Sequence, residues 1–239
     1  MIISAHQLSY NPWLGLLHKI LLSDIFVVMD DVQFEKNSFI NRNKILQNDN
    51  EIMLTIPIKT KEYKSKALRE MQTLDSRWCK KHLKSIEQSY KKSPYFLEVY
   101  PSLEKIYQSE SDYLIDYTQA YLDFLIDYID IDTQIMYASD LKIKAKKLDY
   151  VIELTQKVNG DRFVFGALGK SYADEKYMKI QGITPYFQNY QHPQYNQYAA
   201  KEFHPYMGVI DLLFNEKKDD IKKIILKDNI TKEELRNYG

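Results

Sequence analysis

Cysteine is nearly absent: the chain of 239 residues has one, Cys79. A single thiol makes no internal disulfide and does not supply a zinc cluster, which fits a reducing compartment. An excess of either charge is missing too, with 33 Lys plus Arg against 33 Asp plus Glu. Such a balance argues against a sequence-wide nucleic-acid surface. Long hydrophobic runs are lacking. Stretches such as Ile25 to Met29 fall far short of the roughly 20 residues of a membrane span. The start, MIISAHQ, lacks the basic and long apolar regions of a signal peptide. These absences point to a soluble cytoplasmic protein with no membrane span and no nucleic-acid partner. Glycine is scarce, at seven residues, and there is no repeat, low-complexity tract or Gly/Ser linker. Apolar content is ordinary at 44%, so disorder is excluded over most of the length.

What is abundant is tyrosine, with 20 residues. This reflects either codon usage in an AT-rich genome or rings lining a carbohydrate or nucleoside site. Along the chain, short apolar runs alternate with amphipathic stretches. Ile2 to Ala5 and Asp24 to Met29 read as strands, and the continuous apolar run suggests burial on both faces. Between them Pro12 to Leu22 reads as a helix, with Pro12 in its first position. Strand, helix, strand in about 30 residues is a βαβ unit. Asp30 to Ile45 reads as a polar loop anchored by Phe34 and Phe39. Glu51 to Ile58 reads as a third strand. A helical block of about residues 76–130 follows, its third helix capped by Asp112. Strand and helix signals then alternate again: Asp132 to Tyr137, Lys147 to Val158, Arg162 to Gly166, Ser171 to Gln181 and Ile183 to Tyr190. The expectation is one α/β domain over residues 1–239. It has a mostly parallel sheet, flanking helices and a central helical insertion, in a nucleotidyltransferase-like or other Rossmann-like topology.

The residues suited to chemistry gather at strand ends. In open α/β sheets ligands bind beyond the carboxyl ends of strands. AHQLSYNPWLGLLHK (Ala5 to Lys19) follows the first strand, and its loop from His6 to Asn11 carries His6, Gln7 and Tyr10 just before Trp13. His18 lies on the helix beyond the loop and is set aside. After the second strand come Asp30 and Asp31, then Gln33, Lys36, Asn41 and Arg42. Asp31 suits a sugar hydroxyl, a ribose or an oxygen-bound metal; Lys36 and Arg42 suit phosphates. FVFGALGKSY places Gly166 and Tyr172 in a glycine loop after a strand, without Walker A spacing. YQHPQYNQ and FHPYMGVID contribute His192, Tyr195, Gln197, His204 and Asp211, and a histidine there suits a general base. No metal site is assigned.

HQLSYNPWLGLLHKI, SDIFVVMDDVQFEKNSFINRNKI, GDRFVFGALGKSYADE, YQHPQYNQ and FHPYMGVIDLLFN occur in an order that resembles the WbqC-like protein family over nearly the whole chain. The family usually has a Pro near Leu8 and a Ser-Gly pair where Phe165-Gly166 stand. The resemblance implies a role in bacterial O-antigen and surface-polysaccharide biosynthesis. By match it assigns His6, Gln7, Tyr10, Trp13, Asp31, Gln33, Lys36, Asn41, Arg42, Gly166, Tyr172, His192, Tyr195, Gln197 and Asp211. The layout is also distantly similar to HxGH-type nucleotidyltransferases, although the chain lacks HxGH. The expected activity is transfer of an acyl or aminoacyl group to a nucleotide-linked amino sugar. His6, His192 and Asp31 would be the catalytic residues, and a nucleotide or acyl donor the co-substrate. The alternatives are a non-catalytic carbohydrate-binding or scaffold subunit and an ATP-dependent carboxylate–amine ligase.

Overall fold

The computed structural model describes residues 1–198 and 200–238. In chain order, β1 (Ile2–His6), α1 (Leu14–Leu21) and β2 (Ile25–Val28) come first. The hairpin β3 (Arg42–Gln47) and β4 (Asn50–Thr55) follows, then α2 (Arg77–Tyr90), α3 (Phe96–Tyr107) and α4 (Leu114–Ile129). The second half contains β5 (Gln134–Tyr137), α5 (Ala138–Leu141), α6 (Leu148–Lys157), β6 (Arg162–Phe165), α7 (Glu175–Ile180) and β7 (Thr184–Phe187). It closes with α8 (Val209–Asn215), α9 (Lys218–Leu226) and α10 (Lys232–Arg236).

The architecture is α/β: five parallel strands in the order β5-β2-β1-β6-β7, with helices on the flanks. Numbered among themselves, these strands run 3-2-1-4-5, the Rossmann-like order. The apolar runs are buried on both faces, as a parallel sheet requires. Period-two alternation divides them. Phe26 and Val28 join one core with α1, the helices α2 to α4, α8 and α9. Ile25 and Val27 join the other with Ile3, Phe163, Phe165 and the inner face of α6.

Glu51 to Ile58 does not extend the parallel sheet. It pairs antiparallel with Arg42–Gln47 in a separate two-stranded sheet. The part of the expected loop from Arg42 onward is therefore strand. The turn is Asn48-Asp49, both left-handed with φ 48° and 62°. A two-residue loop of Asn and Asp is the hairpin signal that the polar composition obscured. Phe34 is buried and anchors the preceding loop, whereas Phe39 is exposed. Pro12 lies one residue before the N-cap, Trp13, rather than inside the helix. Tyr113, not Asp112, is the N-cap of α4, and no side chain caps it. Of the helix expected over 171–181 only α7 is helical, its cap Asp174 accepting the Tyr177 N–H at 3.0 Å, and a 3-10 turn (Ala167–Ser171) precedes it. Among the described residues no helix is long and apolar enough to cross a membrane.

Candidate functional site

The strand order places a switch point between β1 and β6, where connections leave in opposite directions. At such a point a crevice opens beyond the carboxyl ends of the strands. A cleft of about 660 Å³ lies there, within the range of small-molecule sites. Its walls come from the β1 loop, the start of α1, the segment before β3, the turn after β6 and the segment after β7.

His6 ends β1 and lines the cleft. Its Nδ1 lies 2.7 Å from the Gln7 carbonyl oxygen. A carbonyl only accepts, so Nδ1 carries the proton and Nε2 keeps its lone pair. Burial, then the nearby Lys19, lowers the imidazole pKa to about 4. The ring also meets the Trp13 indole edge-on, with centroids 5.4 Å apart. Gln7 donates Nε2 to the Gln33 carbonyl at 2.9 Å, joining the two loops that flank the mouth. Gly166 opens the turn after β6, and a Cβ there would meet nothing within 4 Å. Tyr172 and Tyr190 add aromatic surface to the walls.

His192 also lines the cleft, but both ring nitrogens are engaged. Nε2 accepts the Tyr206 N–H at 3.1 Å and Nδ1 faces the Pro193 carbonyl at 3.0 Å. The ring holds its segment in shape, and no lone pair is left for a ligand. Of the two expected bases, only His6 presents a free acceptor.

The other expected residues lie elsewhere. Tyr10 is fully buried, with its hydroxyl 2.8 Å from His82 Nδ1 and in contact with the Tyr107 hydroxyl. Asp31 accepts the Tyr150 hydroxyl at 2.7 Å, which turns it toward α6. Gln33 and Lys36 are exposed, and Lys36 sits over the Tyr63 ring at 6.0 Å. Asn41 donates to the Ile56 carbonyl at 2.8 Å, and Arg42 donates to the Asn37 carbonyl. All six are absent from the cleft lining, although Glu35, Ser38 and Phe39, from the segment before β3, are in it. Tyr195 and Gln197, both half-buried, form a separate cluster around the buried Asp211. Asp211 accepts Tyr90 and Tyr195 hydroxyls at 2.8 and 2.9 Å and the Gln197 amide at 2.7 Å, which ties the segment after β7 to α8. Among the described residues no group of three or more His, Cys, Asp or Glu gathers as metal ligands.

Lys19 and Ser9 are among the cleft residues that the sequence reading missed. Lys19 sits on α1, all eight of whose residues are buried. Its Nζ donates to the Ala5 carbonyl at 2.9 Å, and burial lowers its pKa to about 7. A lysine inside LGLLHKIL was the available signal, since a charge on an otherwise apolar helix needs a reason. Ser9 lines the cleft with a buried hydroxyl that finds no partner among the described residues. Nothing in its sequence context marks it.

The model of the WbqC-like protein family matches residues 7–223. A protein of Mycobacterium tuberculosis (strain ATCC 25618 / H37Rv) named "Uncharacterized protein Rv1507c" is 26% identical over 210 residues. The alignment covers 87% of this chain and 91% of that protein.

Proposed function

The chain belongs to the WbqC-like protein family, and from that premise we propose that it acts on a nucleotide-linked amino sugar in bacterial surface-polysaccharide biosynthesis. The reaction is transfer of an acyl or aminoacyl group to the sugar amine. The observation that carries this reading is the switch-point cleft with a free histidine lone pair beside aromatic walls. Its volume of about 660 Å³ suits a ligand of nucleotide-sugar size. Trp13, Tyr172 and Tyr190 offer ring surface, and Tyr172 a hydroxyl, to a base or a sugar.

In this mechanism the amine nitrogen attacks the donor carbonyl carbon, a C–N bond forms, and the donor's leaving group departs with its bonding pair. A pKa of about 4 makes His6 a weak base. It is neutral throughout the physiological range, so Nε2 is always ready to accept an amine N–H and orient the nitrogen. Nitrogen in the tetrahedral adduct is far more acidic than in the free amine. A weak base therefore suffices to take its proton and hand it to the leaving group.

Calorimetric titration with a panel of nucleotide-linked amino sugars tests the proposal. Saturable binding that weakens in His6→Ala supports it, and no saturable binding across the panel refutes it. Complementation of surface-polysaccharide synthesis by His6→Ala would instead favour a non-catalytic carbohydrate-binding or scaffold role.

A further inference from the structure

Lys19 and Ser9 share the cleft with His6, and neither takes part in the transfer described above. The Lys19 side chain is buried, yet among the described residues its ammonium finds one acceptor for three donors, the Ala5 carbonyl at 2.9 Å. No carboxylate among the described residues pairs with it. A buried ammonium without a counter-charge is costly, and structures ordinarily pair it. Ser9 is 4% exposed and its hydroxyl is unpartnered. Thus one cleft is lined by a cation without a counter-charge and a hydroxyl without a hydrogen-bond partner among the described residues.

We propose that Lys19 and Ser9 form a seat for one oxyanion, a carboxylate or a phosphate group of the ligand. The inference rests on the cleft being the binding site of the proposed function, and not on the ligand being a sugar nucleotide. The titratable groups around the cleft are His6 on β1, Glu35 before β3, Tyr172 after β6, and Tyr190, His192 and Tyr206 after β7. Burial lowers both histidines, which leaves them neutral near pH 7. Glu35 is exposed on its loop. An arriving anion therefore meets Lys19 as the cation inside the cleft.

The charge state has a consequence for binding. With its pKa lowered to about 7, the free Lys19 amine is largely neutral above that pH. An anion seated on it restores the ammonium, so binding above neutrality takes up one proton. Affinity then falls about tenfold for each pH unit above 7, until the pKa of the bound state is reached.

The test is titration of the full chain with acetate and with sulfate, which stands in for phosphate without changing charge between pH 6 and 10. Followed by nuclear magnetic resonance at pH 7 and 9, at least one anion should saturate. Its affinity should be tenfold or more weaker at pH 9, absent in Lys19→Met and severalfold weaker in Ser9→Ala. Preference for acetate assigns a carboxylate seat, and preference for sulfate a phosphate seat. Saturation by neither anion, equal affinity at the two pH values, or full binding by a folded Lys19→Met protein would overturn the proposal. Should Lys19→Met fail to fold, the pH series on the unaltered chain and Ser9→Ala decide. Oxyanion binding without any nucleotide-sugar binding would refute the proposed substrate while leaving this seat intact.

Discussion

Replacing Lys19 by Met should make the protein more stable at neutral pH while removing its oxyanion binding. The Lys19 amine ordinarily titrates at 10.5, and burial lowers it to about 7 in the folded chain. The folded state therefore binds fewer protons than the unfolded state between those values, and stability rises with pH across that window. At about 1.4 kcal/mol per pH unit, keeping this lysine buried costs on the order of 4 kcal/mol at pH 7. By pH 9 the cost falls to about 2 kcal/mol, and near 10.5 it vanishes. Met fills most of the same volume without a charge. Against the gain stands the lost bond to the Ala5 carbonyl, about 1 kcal/mol. Water reaching the open cleft reduces the cost of the charge further. The expected net gain is about 2–3 kcal/mol at pH 7, and it should shrink steadily toward pH 10. Urea unfolding of both proteins at pH 7, 8, 9 and 10 measures it. If Lys19→Met is less stable than the parent at pH 7, or differs by the same amount at every pH, Lys19 is not a lysine held uncompensated in the cleft.

The lowered pKa of His6, about 4 against 6.5, means that the folded state resists protonation there. Stability then falls as pH drops from 6.5 toward 4, and His6→Gln should lose less over that window in acid-unfolding curves. A parallel decline of the two proteins would contradict the burial of His6. Gly208→Ala should cost about 2–4 kcal/mol by thermal unfolding. The new Cβ falls 2.0 Å from Asn11 Nδ2, and Asn11 is held at φ 46° with its Oδ1 accepting the Ile210 N–H. An unchanged melting temperature would show that Asn11 yields freely. Asp211→Ala strands the Tyr90, Tyr195 and Gln197 donors, and a loss of about 3–5 kcal/mol is expected. Asp211→Asn retains one acceptor oxygen and should cost about 2 kcal/mol. Equal urea midpoints for all three proteins would remove Asp211 as the clamp on the segment after β7.

The strands were legible because their burial leaves a local mark. IFVV and RFVF are continuous apolar runs, and such runs name a two-faced buried strand wherever the chain goes. The helices α2, α4 and α6 likewise show in their 3.6-residue stripes, and the order of motifs from HQLSYNPW to FHPYMGVID identifies the family. Of the residues expected from strand ends and from the family motifs, His6, Gln7, Trp13, Gly166, Tyr172 and His192 line one cleft. The same reasoning gathered Asp31, Lys36 and Arg42, because a loop after a strand does not announce which way its side chains turn. The structure turns Asp31 to Tyr150 and engages the Arg42 guanidinium with the Asn37 carbonyl. Pairing is non-local in the same way. β1 joins β6 across more than 150 residues of sequence, and that neighbour relation, which creates the switch point, is set by sheet order rather than by any residue pattern. Residue types and their periods thus determined most of the elements, the α/β class and the family. Only the tertiary packing decided that Lys19 and Ser9 line the cleft, and that His6 keeps a free lone pair while His192 spends its own on the Tyr206 N–H. Each of those outcomes depends on which distant atom reaches the same point in space.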